Sequence, residues 1–442
     1  MTTRATFPGY RDGFRRHTCR LAAFACILLG LPAQALAQNC SGAYIQLNSQ
    51  TAVNNFQANH GPCTVVTSFI VIEDFHTPGN EIVDLTPLAA ITTVGDTMWI
   101  SGTSITSLAG LENLSSVMNL SISGNINLTS LAGLGNLSSV FALGISGNPN
   151  LASLAGLENI TSVQRLTIWD NPSLQSLTTW PGLASLGGLS RVKIGQNNLV
   201  NLSGLPGQVS LERLELGEAN LAGLPLMLST VERLVLTGNT ISNLDGLPAV
   251  LQVNELMVEF TTGLVTLQGL PALSGLKQIS ITDNEALTDL GALAASALDL
   301  AVPMDTSVTV EWNFNLPSLA GLPATTRLGG LWVANNANLT SLAGPPGLQE
   351  IWGTLNVADN NKLFDCEILR TVLDDVDDGD PGPGTSMGPL DPPDTLGLLA
   401  INIENNMTFD TDLPPPRRGC DSIEEILTAE SDVVFADDFE GD

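Results

Sequence analysis

Histidine is almost missing from this 442-residue chain, which has three, and tyrosine occurs twice. Once an N-terminal leader is set aside, His60 and His76 are the histidines that remain, both close to the start. A Ser/His/Asp or Cys/His triad would have to be assembled around one of them, and no serine sits in a nucleophile-elbow sequence. Positive charge is also scarce, with 16 Lys and Arg against 45 Asp and Glu. Such an acidic balance repels nucleic acid and anionic membrane. Beyond the leader no apolar run reaches the roughly 18 residues that a membrane span needs. The cysteines lack the close CxxC spacing of a zinc knuckle, and no cofactor motif is present, so neither metal nor cofactor is expected.

The leader itself is legible. Arg4, Arg11, Arg15, Arg16 and Arg20 precede an apolar run from Leu21 to Leu31, and Ala35-Leu36-Ala37 offers a small-residue cleavage site. Residues 1–37 therefore read as a secretory signal, with an exported chain beginning near Gln38. Removing them takes five of the 16 basic residues and one of the 45 acidic ones, leaving a balance of −33. Cys40 and Cys63 remain near one end, Cys366 and Cys420 near the other. In an exported protein an even set suggests disulfides, and the clustering favours Cys40 with Cys63 and Cys366 with Cys420 among three possible pairings.

What the chain has in abundance is repetition. Val117, Val140 and Val163 lead three nearly identical units of 23 residues, and Asn125, Asn148 and Asn171 recur at the same spacing. Each unit carries two apolar residues in alternation before the Asn, as in Leu120-x-Ile122, which is a short strand with one face buried. After the Asn, leucines return every third position, at Leu128, Leu131, Leu134 and Leu137. Period three, with Pro206, Pro225, Pro248, Pro271 and Pro323 in the same part of later units, predicts tight turns or 3₁₀ pieces and little α-helix. With drift the Asn column continues through Asn197, Asn239, Asn284, Asn313, Asn336, Asn360 and Asn406, and Thr103, Ala219 and Thr261 stand in at equivalent places. These asparagines read as structural, because a corner amide can bond backbone of its own turn and of the next unit.

Equivalent strands running in one direction must pair in parallel, so the predicted fold is mainly β, a right-handed parallel β-solenoid with leucine-rich-repeat-like rungs and disulfide-tied caps. The expected organisation is an N-terminal cap over 38–67, rungs over 68–365, a C-terminal cap over 366–430 and an acidic tail over 431–442. The step from Asn284 to Asn313 is 29 residues and suggests a bulge or a boundary between sub-arrays. The double step to Asn406 holds an excursion with the acidic run Asp374 to Asp380, which departs from the EF-hand pattern at Val376 and Thr385 and reads as solvated. Ser422 to Leu427 reads as a capped helix.

The pattern Leu-x-x-Leu-x-Ile/Leu-x-x-Asn resembles leucine-rich repeats. Together with Cys40…Cys63, Ile70-Val71-Ile72, Ile82 to Leu88 and Leu108 to Leu114, it looks like the receptor L-domain family over most of residues 40–420. That resemblance implies a parallel β-solenoid with tied ends, of a kind that helps bind peptide ligands in animal receptors. No kinase, cysteine-rich region or membrane span follows, so signalling is not implied. The tail Val434 to Glu440 looks like the short Phe/Asp-rich tails of some secreted bacterial proteins, and the Asn-x-Ser/Thr triplets at Asn113, Asn136, Asn159 and Asn201 would then go unmodified.

The residue between the two inward positions of each strand must face outward. This column runs Val71, Trp99, Ser121, Gly144, Thr167, Lys193, Glu215, Val235, Met257, Ser280, Thr309, Trp332, Asn356, Asn402, with Trp169 and Glu259 beside it. Exposed tryptophans suit a recognition face. The candidate ligand-binding residues are therefore Trp99, Thr167, Trp169, Lys193, Glu215, Met257 and Trp332, for a protein or glycan ligand of a monomeric, exported, non-enzymatic binding or adhesion module. A carbohydrate-active enzyme is the alternative, but Lys193 and Arg213 read as isolated and no rung carries an obvious carboxylate pair. A purely structural envelope protein is the third reading.

Overall fold

A computed structural model describes residues 39–40, 44–74, 81–207, 210–218, 221–222, 224, 228–238, 241–249, 251–373, 400–404, 406 and 420. The expected signal, His76, Ala219, Asn239, the acidic run 374–380, the helix at 422–427 and the tail lie outside them.

Those residues form a mainly β, right-handed parallel solenoid of about 13 turns with a period of about 23. Its main sheet follows chain order. Tyr44–Leu47 pairs with Phe69–Glu73, which pairs with Thr93–Ser101, and the series continues strand by strand to Glu350–Ala358 and Ala400–Glu404, every pair parallel. The sheet thus begins inside the segment read as a cap, since Tyr44–Leu47 already makes a strand beside Phe69–Ile72 although the repeat spacing fails there. Its alternating burial, with Ile45 and Leu47 inward, does what a rung does without a rung's sequence.

The returning side is built as the period of three requires. Leu128, Leu131, Leu134 and Leu137 are all fully buried, and 3₁₀ turns recur, for example at Thr86–Leu88, Leu177–Thr179 and Gly291–Ala295. Four leucines at every third position reach the interior only if the chain turns after each, which a 3.6-residue helix could not sustain. Among the described residues α-helix is confined to Gln50–Asn54, Phe56–His60 and Glu367–Leu373, near the two disulfides. Cys40 and Cys63 are joined with their Cα atoms 5.6 Å apart, Cys366 and Cys420 with theirs 6.0 Å apart.

The corner asparagines form a buried ladder. Asn125 Nδ2 donates to Asn148 Oδ1 (3.2 Å) and to the Ile100 carbonyl (3.1 Å), while the Asn125 backbone N–H reaches the same Asn148 oxygen (3.1 Å). Asn148, Asn171, Asn284, Asn313, Asn336 and Asn360 repeat the scheme, and Asn406 ends it by donating to the Cys420 carbonyl (2.9 Å). Each link satisfies three backbone or amide groups that would cost about 1–3 kcal/mol apiece if orphaned in the interior. The 29-residue step does not interrupt it: Asn284 still donates to Asn313 (3.0 Å), and Gln278–Thr282 pairs in register with Ser307–Glu311. The additional residues are taken up on the returning side, by the turns at Gly291–Ala295 and Pro303–Asp305.

Thr103 and Thr261 join the ladder through their hydroxyls, at 2.6 Å from Asn125 Oδ1 and 2.7 Å from Asn284 Oδ1. Asn197 gives both its backbone N–H (3.0 Å) and its side-chain amide (2.7 Å) to the carboxylate of Glu218, which precedes Ala219 in sequence and whose longer side chain reaches the asparagine's place.

Candidate functional site

Pairing register aligns the outward residues as one column. Val71 lies opposite Trp99, Trp99 opposite Ser121, Thr167 opposite Lys193, Lys193 opposite Glu215, Met257 opposite Ser280, and Trp332 opposite Asn356. The column is not uniformly open. Trp99 is 46% exposed, Thr167, Lys193, Met257 and Trp332 are half-buried, while Glu215 and Val235 are covered.

The densest part of this face lies on the three strands Arg165–Trp169, Arg191–Gly195 and Ser210–Gly217. Trp169 Nε1 donates to Gln196 Oε1 (3.0 Å), and the benzo edge of its ring fills the places that side chains at Gly195 and Gly217 would occupy, 2.3 and 2.7 Å from their ideal Cβ positions. Two glycines in neighbouring strands are what let the indole lie there. Lys193 Nζ stands 4.3 Å from the centroid of that ring and 2.6 Å from Glu215 Oε1. Arg213 donates to the other oxygen, Glu215 Oε2, at 2.9 Å. Lys193 and Arg213 are thus not isolated: they share one covered carboxylate, 22 residues and two residues away in sequence. The separation of 22 is one rung, so the contact is invisible until register is known.

Two positions back along the strands runs a second column that sequence reading missed. Arg165, Arg191, Arg213 and Arg233 lie opposite one another on four consecutive strands, followed by Glu255. Arg191 holds Glu212 with two hydrogen bonds, 2.9 and 2.7 Å, and this pairing keeps the Glu212 carboxyl below its usual range. Arg233 pairs with Glu255, and Arg165 lies over the Phe141 ring at 5.2 Å. Between these side chains is a cleft of about 190 Å³ lined by Arg191, Glu212, Arg213, Glu232, Arg233 and Glu255. It runs into a wider groove of about 600 Å³ that reaches Lys277, Asp305 and Trp332. The Trp332 ring folds back over Gly330 of its own strand, again filling a missing side chain.

The tryptophans therefore divide by role. Trp99 donates to Ser123 Oγ across one strand (3.2 Å) and stays open, whereas Trp180, on the returning side, is 1% exposed and part of the core. Trp352 donates to Glu350 (2.8 Å) and lies 5.6 Å beneath Arg327, and Trp312 stands at a corner, 43% exposed. His60 packs on Phe56 at the end of its helix, centroids 5.2 Å apart. Asn113, Asn136 and Asn159 tie each returning turn to the carbonyl of the rung before, at 2.8, 2.6 and 2.5 Å, a second and exposed asparagine row.

Among the described residues there is no group of three or more His, Cys, Asp or Glu side chains placed to hold a metal ion, and no helix long and apolar enough to cross a membrane. The fold defines a class: a right-handed parallel β-solenoid with disulfide-tied ends, consistent with leucine-rich-repeat-like solenoids in general. No protein-family model matches the chain, and no curated protein matches it.

Proposed function

We propose that this chain is an exported, non-enzymatic binding or adhesion module of the cell surface or extracellular space, monomeric, recognising a protein or glycan through the outward face of its sheet. The observation that carries this reading is the cluster of Trp169, Lys193, Arg213 and Glu215. An indole laid over two glycines, a lysine against its ring and a covered carboxylate shared by two cations form a rigid, charge-compensated surface. None of these side chains contributes to the interior, and aromatic and cationic groups held in fixed positions are what binding hot spots use. The receptor L-domain resemblance, with its peptide-binding members, agrees with it.

A carbohydrate-active enzyme is the second reading, favoured by the carboxylates in the 190 Å³ cleft. Against it, Glu212 and Glu255 are each held by an arginine, and the Glu212 carboxyl, drawn below its usual range by Arg191, is a poor general acid. Probing a glycan and secreted-protein array with residues 38–442 tests the proposal. Binding to a defined ligand should weaken by roughly tenfold or more in Trp169→Ala and Lys193→Glu. Ligand binding indifferent to Trp99, Trp169, Lys193 and Trp332 would move the site to the loops or caps. Turnover of a bound glycan would favour the enzyme.

A further inference from the structure

On the outward face several carboxylates have a cation. Glu212 has Arg191, Glu215 has Lys193 and Arg213, Glu255 has Arg233, and Glu350 has Arg327. Glu259 and Glu311 differ, since neither carboxylate has a hydrogen bond or salt bridge among the described residues. Burial pushes both carboxyls above their usual range; for Glu259 the charge of Glu215 adds to this, against the pull of Arg213 and Lys193. The two lie in one column with Thr282 between them, two strand steps or about 9.5 Å apart.

Each of these glutamates is followed by an exposed aromatic residue in the left-handed region. Phe260 has φ 56° and is 55% exposed, and Trp312 has φ 59° and is 43% exposed. At the equivalent corners stand Gly102, Gly124, Gly147, Asp170, Gln196, Gly238, Asp283, Asn335 and Asp359, glycine or polar residues that tolerate this backbone far better than a bulky ring. The left-handed backbone makes an aromatic residue costly there, and each stays about half open to solvent. Phe314, 40% exposed, meets Trp312 edge to face, ring centroids 6.3 Å apart. The frame beneath is fixed, because the Phe260 N–H reaches the Thr282 carbonyl and the Trp312 N–H the Ala334 carbonyl, both at 3.1 Å.

Ammonium and guanidinium groups gain from a carboxylate and from an aromatic face at once. The chain itself supplies few such groups, with 16 basic residues against 45 acidic ones. We propose that Glu259, Phe260, Glu311, Trp312 and Phe314 dock a lysine- or arginine-bearing segment of a partner polypeptide, its cations on the two carboxylates and its stems along the rings. This rests on the reading that the outward face of the sheet binds ligand, and names the chemistry of that ligand at one end of the strands.

The test titrates a fluorescent lysine–serine repeat peptide, its glutamate–serine counterpart and a neutral oligosaccharide into the full chain. The basic peptide should bind, more weakly as salt rises, and the acidic one should not. Glu259→Gln with Glu311→Gln should weaken the basic peptide by roughly tenfold. Trp312→Gly should weaken it while holding or raising Tm, a combination that a merely structural tryptophan would not give. Ile126→Ala, at an exposed apolar corner of a regular rung, should leave binding unchanged. Equal binding by the double glutamine variant would overturn the proposal in favour of diffuse acidity. Binding of the oligosaccharide alone, lost in Trp312→Gly, would overturn it in favour of a glycan. Failure of the basic peptide, while array ligands are still lost in Trp169→Ala, would end this inference and leave the broader one standing.

Discussion

The rungs from Val117 to Asn148 and those from Arg165 to Trp332 follow one ladder scheme and one buried leucine pattern, yet spend their outward residues differently. In the first group Ser121 and Gly144 project from the sheet, and the corners before Asn125 and Asn148 are Gly124 and Gly147. In the second, outward positions carry Lys193, Glu215, Met257 and Trp332, and corners carry Phe260 and Trp312. The regular group is what packing alone selects. Departures in the second group, a left-handed aromatic or a covered carboxylate, do not fill the core, and the proposed recognition would give them a use.

The largest way to break this comparison is to cut the ladder scheme that both groups use. Asn148→Ala removes the acceptor of two donors from Asn125 and the donor to the Ile122 carbonyl, all buried. With each orphaned group costing about 1–3 kcal/mol, a loss of roughly 3–5 kcal/mol is expected, read as a lower urea midpoint for the whole solenoid. Gly195→Ala sharpens the contrast instead. Its added carbon meets the Trp169 ring, and the Gly217 Cα at 2.8 Å, so stability should fall by only about 1–2 kcal/mol. Array binding should suffer far more than the urea midpoint.

Smaller still is Glu218→Gln. Glu218 is 1% exposed, and burial raises its carboxyl above the usual range. A raised carboxyl pKa means that the folded state holds a proton the unfolded state has lost, so stability falls as pH rises from about 4.3 through the raised value. An amide of the same shape keeps the bonds from Asn197 without the charge. It should stabilise the chain by about 1 kcal/mol at neutral pH and not at acid pH. Denaturation across that range should show a shallower slope in the variant, with Glu259 and Glu311 supplying what remains.

Translational symmetry decided how much could be read in advance. A ladder asparagine, a buried leucine every third residue and an outward column recur at a fixed period, so each copy corroborates the next; the column from Val71 to Asn402 needed no structure to be drawn. Contacts between rungs were hidden. Lys193 meets Glu215, and Arg191 meets Glu212, only through a register that drifts from 26 residues to 22 between those strands. Glu218 escaped notice because it reaches the asparagine's place from one residue early. Phe260 and Trp312 each directly precede a ladder residue, but that the corner is left-handed, and so unusual for a bulky ring, shows only in the backbone.

The central claim is that the regular rungs are scaffold and the irregular ones carry recognition. Comparing ligand binding by two double variants tests it directly: Ser121→Lys with Gly144→Lys on the regular rungs, where a Cβ added at Gly144 meets only ordinary contacts, and Trp169→Ala with Lys193→Glu on the irregular ones. The account predicts that the first pair binds as the unaltered chain does and the second loses binding by roughly tenfold or more. Loss in the first pair with retention in the second would contradict it.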